Sequence, residues 1–239
     1  KSGISLNMSY WFELTTEKYA ILVSDKRRTY SGQSEVIDDA GSKIIKVNNS
    51  IYLTGAGLLP FVEDVAKDFR GIFKSEKVLL KKLQNSYIGL QGKLTEKYDW
   101  YHNKVLSQME EQGLNIDEQK QQCTSVAIGA VSQEGSQFLL VGYSIEFFKI
   151  HEQQGSGKFI CLPPLNDNLL NIFKSIKGLI KMAEKALNEK NFGITEIKRR
   201  SLELLPPVIH KVSSRMPSVS KKGDIAIIGS DDSCIISFN

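Results

Sequence analysis

The chain has 239 residues, 41% hydrophobic and 24% charged, which suffices for a substantial core and excludes a protein disordered throughout. Its 31 basic residues exceed its 27 acidic ones by a formal charge of +4, spread along the chain and too small to argue for a nucleic-acid partner. No apolar run approaches the roughly 18 residues of a membrane span, and the stretch "KSGISLNMSYWF" lacks the long apolar segment of a secretory leader. The expectation is a single cytoplasmic domain over residues 1–239 with no membrane contact.

In chain order, "LNMSYWFEL", "YAILVSD", "KIIKV" and "IYLTGAG" are short apolar or alternating bursts separated by polar turns such as "TTEK" and "NNS". They predict four strands joined as antiparallel hairpins. After "GAG" the spacing becomes helical: Phe61, Val62, Val65, Ala66 and Phe69 share one side, and Pro60 suits a helix start. From "SEKVLLKKLQNSYIGLQGKL" to "WYHNKVLSQMEEQG" the pattern fits one broken helix or two, with Gly89 and Gly92 as weak points. Strand signals return in "TSVAIGAV", "QFLLVGYS", "EFFKIH" and "KFICL". A helix of nearly thirty residues is predicted next, capped by Asn166 or Asp167 and ending at Gly193. "ITEIKRRSLELL" predicts another, capped by Thr195 and stopped by Pro206 and Pro207, before a last hairpin of "GDIAIIGS" and "CIISF". Runs of strands alternating with runs of helices predict an α+β fold, a four-layer α-β-β-α sandwich of two antiparallel sheets flanked by helices.

Several features suggestive of sites have plainer readings. "QGSGK" lacks the glycine spacing and the Ser or Thr of a phosphate loop and reads as a hairpin loop. His102, His151 and His210 have no spacing that suggests a metal site, and Cys123, Cys161 and Cys234 lack CxxC spacing and read as buried thiols. No metal or cofactor is expected. Two other features work together. Gly55 and Gly57 lie where a strand hands over to a helix, a place where a backbone N–H can stabilise an oxyanion or form a plain tight turn. Asp25 ends one strand and Lys43 opens another, either as a surface ion pair or as a group that lowers the proton affinity of a nearby hydroxyl nucleophile.

These stretches carry a family likeness. "YAILVSDKRRT", "SKIIKVNNSIYLTGAG" and the helix that follows resemble the N-terminal half of proteasome subunits and of the related bacterial HslV peptidase, members of the N-terminal-nucleophile hydrolase fold. Asp25, Arg27, Thr29, Lys43, Ala56 and Gly57 match the family pattern in order and nearly in spacing, and the likeness covers residues 5–75 before continuing loosely. The resemblance implies the four-layer sandwich and peptide-bond hydrolysis by a terminal Thr, Ser or Cys, with its own α-amine as base. It further implies that Lys43 lowers the proton affinity nearby, Asp25 fixes Lys43, the Gly57 N–H forms the oxyanion hole, and Thr29 lines the substrate cleft. It also implies a homo-oligomeric ring acting on peptide or protein substrates.

The departures are as informative. No threonine opens the first strand; the nucleophile position falls at Ser9 if the first turn is counted without insertion, and at Ser5 if "ELTTEK" carries four extra residues. Neither serine follows the glycine that precedes the family's nucleophile, and an internal serine has no free amine. The family's Ser-Gly after "KFICL" is replaced by "PPLND", and its later Asp and Ser partners have no counterpart in "KNFGITEIKRRS". Two functions therefore stand: a self-processing peptidase, or a catalytically inactive structural or partner-binding subunit, to which the "DKR" of Asp25 to Arg27 is closer.

Overall fold

Strands β1 (Trp11–Thr15) and β2 (Ala20–Asp25) are buried along their whole length and form an antiparallel hairpin around Thr16, whose hydroxyl accepts the Tyr19 N–H at 3.1 Å. In this computed structural model, which describes residues 9–29, 36–38, 41–74, 80–113, 116–117, 123–161, 170–216 and 219–239, they centre a five-stranded sheet. β10 (Phe159–Cys161) pairs with β1, β11 (Gly223–Ile228) pairs with β2, and β12 (Ser233–Phe238) closes the order β10-β1-β2-β11-β12. A second sheet has the order β5 (Ile45–Lys46), β6 (Ile51–Ala56), β7 (Ser125–Val131), β8 (Gln137–Tyr143) and β9 (His151–Gln154), again antiparallel throughout. A short separate hairpin, β3 (Arg28–Thr29) with β4 (Val36–Asp38), was not foreseen from the sequence.

The alternation of side chains along the strands explains the layering. Ile21, Val23, Ile225 and Ile227 face helices α3 (Leu170–Leu187), α4 (Ile194–Leu204) and α5 (Pro206–Ser213), where they meet Ile176, Ile180, Ile197 and Val208. Their strand neighbours Ala20, Leu22, Ala226 and Ile228 face the other way and meet Tyr52, Val131 and Leu139 of the second sheet. The outer face of that sheet, through Leu53, Val126, Ile128 and Leu140, packs on α1 (Leu59–Ile72) and α2 (Leu80–Glu111). Two antiparallel sheets thus lie face to face, each with helices over its outer surface. Gly129 makes the close approach possible, since a Cβ there would sit 1.9 Å from Leu22 Cδ1.

Several sequence expectations are corrected. The helical stretch after α1 is one unbroken helix of 32 residues, about 48 Å long, because Leu83, Tyr87, Leu94 and Tyr98 keep a continuous buried stripe past Gly89 and Gly92. "EFFKIH" is not a strand: Phe147 and Phe148 both adopt left-handed backbone (φ 51° and 54°), and fully buried Phe148 packs 5.2 Å from Phe61, so pairing resumes only at His151. "QGSGK" does not join a hairpin but carries the chain from the second sheet to the first, with Gly155 and Gly157 at positive φ.

The long helix predicted to reach Gly193 ends at Leu187, where Asn188 Nδ2 donates to Glu184 O at 3.0 Å and to Thr15 O at 3.1 Å. Its predicted caps, Asn166 and Asp167, lie outside the described residues. Thr195 lies inside α4, which Gly193 precedes without a side-chain cap. Pro206 and Pro207 end α4 as expected but also begin α5, a use of proline in a first turn that the sequence reading missed. No described helix is long and apolar enough to cross a membrane.

Candidate active site

Asp25 is the last residue of β2 and is completely buried. Its carboxylate gathers backbone N–H groups from three segments: Tyr10 donates to Oδ1 at 2.8 Å, Arg27 to Oδ2 at 2.9 Å and Ser220 to Oδ2 at 3.2 Å. In return the Asp25 N–H donates to the Tyr10 carbonyl at 3.1 Å. Tyr10 is therefore clamped to Asp25 in both directions, which fixes the position of its neighbour Ser9.

Lys43 comes from the segment leading into β5 and is only 2% exposed. Its ammonium donates to Asp25 Oδ1 at 3.1 Å and Oδ2 at 3.2 Å, and to Ser9 Oγ at 2.8 Å. The surface-pair alternative is thereby excluded: a lysine and an aspartate removed from water need this dense bonding to offset their desolvation. Because Lys43 is the donor, Ser9 Oγ accepts from it and keeps its own proton available. A positive charge at hydrogen-bond distance also favours the alkoxide form of that hydroxyl. The structure thus brings together Asp25, Lys43 and Ser9. Ser5 lies outside the described residues. Thr29 sits in β3 opposite Val36, at a register shift of the small hairpin.

Gly57 follows the last residue of β6 with φ +90°, and a Cβ there would meet Thr124 Oγ1 at 2.4 Å and Thr124 Cα at 2.9 Å. Only glycine fits both the backbone angle and the space. The amides on either side are occupied: Ala56 N–H donates to Ser125 Oγ at 3.2 Å and Leu58 N–H to Thr124 Oγ1 at 3.3 Å. Between them, the Gly57 N–H has no acceptor among the described residues, just before the N-terminus of α1. An uncommitted amide beside a helix N-terminus is suited to receive negative charge.

Sequence reasoning missed Ser125, which also accepts the Trp11 indole N–H at 2.9 Å across the two sheets, and the Ser220 amide. It missed Glu13 as well. This residue is fully buried in β1, and neither carboxylate oxygen has a hydrogen-bond partner among the described residues. Burial alone pushes its carboxyl well above the usual glutamate range.

The remaining titratable side chains play other parts. His102 stacks on Tyr98 at 5.2 Å, His151 pairs with Glu146 on the surface, and His210 packs against Phe238. Of the thiols expected to be buried, only Cys161 is; Cys123 and Cys234 are partly exposed. Desolvation pushes the Cys161 thiol up to about 11, so it is not a thiolate nucleophile at neutral pH.

Compared with models of known protein families and with curated proteins, the sequence matches none.

Proposed function

We propose that the protein is a peptide-bond hydrolase of the N-terminal-nucleophile type, similar to proteasome subunits, with Ser9 as its nucleophile. The observation that supports this most is the 2.8 Å hydrogen bond from buried Lys43 to Ser9 Oγ, with Asp25 on the far side of the same ammonium. In this chain Ser9 follows Met8, so its nitrogen is an amide. The proposed catalyst is the form cut between these two residues, in which that nitrogen becomes a free α-amine.

The Ser9 Oγ attacks the carbonyl carbon of a peptide and passes its proton to the amine. Lys43 lowers the proton affinity of Oγ, and Asp25 holds Lys43 in place. The Gly57 N–H donates to the oxygen of the tetrahedral intermediate. The C–N bond then breaks, the departing amine takes the proton, and water hydrolyses the resulting ester to regenerate the hydroxyl. Substrate lies along β3 at Thr29, and the subunits form a homo-oligomeric ring, to be checked by sedimentation equilibrium.

The peptide linkage at Met8–Ser9 favours the second reading, an inactive structural or partner-binding subunit. Intact-mass measurement and N-terminal sequencing of the protein made from its full precursor separate the two. A chain beginning at Ser9 is expected, with cutting lost in Ser9→Ala. A chain beginning at Ser5 moves the nucleophile there, and an uncut chain that no acylating reagent modifies supports the inactive subunit.

A further inference from the structure

Trp11 opens β1 two residues after Ser9, and its side chain lies on the face turned toward the second sheet. The indole is fully buried, and its N–H crosses between the sheets to Ser125 Oγ at 2.9 Å. The same oxygen accepts the Ala56 N–H at 3.2 Å. Ala56 is bonded directly to Gly57, whose N–H is left without an acceptor while Thr124 Oγ1 holds the next amide, Leu58, at 3.3 Å. The segment after Ser9, the indole, the Ser125 hydroxyl and the amide next to the oxyanion donor thus form one short chain of contacts, and both hydrogen bonds in it end on a single, completely buried oxygen.

Resting on the reading of Ser9 as nucleophile, we infer that Trp11 and Ser125 are positioning residues that set the distance between Ser9 Oγ and the Gly57 N–H. Separate sheets carry the two reacting groups, and sheets held only by apolar packing slide more easily than sheets pinned by a directional bond. Trp11 supplies that bond at the end of the interface nearest Ser9. Ser125 converts it into a fixed orientation of the peptide plane between Gly55 and Ala56, the plane next to the one that carries the Gly57 N–H. Neither side chain touches the reacting carbonyl; both act through the amide they hold.

The test uses p-nitrophenyl acetate on the form cut between Met8 and Ser9, prepared to begin at residue 9, and on Trp11→Phe, Ser125→Ala, the double variant, Ser125→Thr and Ser9→Ala in that same form. Acylation forms the Ser9 Oγ–acetyl bond, releases p-nitrophenolate and passes the serine proton to the base. Burst amplitude counts competent Ser9, and the burst rate constant reads the chemistry, so a merely structural role lowers the first and leaves the second alone. The expected result is a burst rate constant about 10- to 100-fold lower in Trp11→Phe and in Ser125→Ala, with amplitude retained. The double variant is no slower than the slower single variant, and Ser125→Thr, which keeps the hydroxyl, recovers most of the rate.

Rate constants within threefold of the parent in Trp11→Phe and Ser125→Ala, or losses that multiply in the double variant, overturn the positioning role while leaving Ser9 as nucleophile. A burst that persists in Ser9→Ala, or none in the parent form that begins at Ser9, overturns the nucleophile and the positioning role together. If Trp11→Phe does not fold, Ser125→Ala against Ser125→Thr decides the matter.

Discussion

Replacing Asp25 by alanine is expected to destabilise the protein by about 3–5 kcal/mol and to cost more than Lys43→Met. Asp25→Ala strands a buried ammonium together with the Tyr10, Arg27 and Ser220 amides, which come from three separate segments. Lys43→Met also leaves a charge behind, but the carboxylate keeps those backbone donors, so its loss is smaller. The order should appear in urea unfolding midpoints, read with the slope held common. Asp25→Ala within about 1 kcal/mol of the parent would falsify the view that the carboxylate organises the site. Lys43→Met is also expected to lower the Ser9 acylation rate by roughly a hundredfold or more, since it removes the charge that favours the alkoxide.

Glu13→Gln should stabilise the protein, by an amount that grows with pH. The Glu13 carboxyl lies in β1 with no partner among the described residues, and burial holds its folded-state proton affinity above that of the unfolded chain. The folded state therefore binds the extra proton. The contribution of this proton is fully present below the unfolded value of about 4.3 and is lost as pH rises toward the higher folded value. Across that window the parent loses stability with a limiting slope of about 1.4 kcal/mol per pH unit from this one group.

Glutamine keeps the shape and cannot ionise, so Glu13→Gln lacks that slope. The two proteins should have similar stability near pH 4 and differ by on the order of 2 kcal/mol at pH 8, where charging Glu13 costs most. Thermal or urea unfolding at pH 4, 6 and 8 checks this. A constant difference across the series would show that Glu13 does not titrate between the sheets.

Asp25, Lys43 and Gly57 were legible in the sequence because each has a local signature. An acid at a strand end, a lysine opening the next apolar run and a glycine at a strand-to-helix junction are all visible within a few residues. The choice between Ser5 and Ser9 was not, since it turned on how many residues the first turn contains; the clamp between Tyr10 and Asp25 is what brings Ser9 to Lys43. Ser220 and Asp25 are 195 positions apart, and Trp11 and Ser125 are 114 apart, so no periodicity in either segment announces the other.

Misread elements have the same origin. "EFFKIH" has strand composition, but the pocket that Phe61 and Tyr98 form around Phe148 turns its backbone left-handed. Pro206 and Pro207 stop one helix by removing an N–H and start another because a first turn does not need it.

The sequence by itself determined most of the strands and helices in their order, the buried face of the first helix and the residue types near a possible nucleophile, because these follow from neighbours a few positions apart. Only the tertiary structure decided which hydroxyl meets Lys43, that the Gly57 amide is left without an acceptor and that Glu13 is shut away from water. Those outcomes depend on which two sheet faces meet, a choice made by packing between segments far apart in the chain.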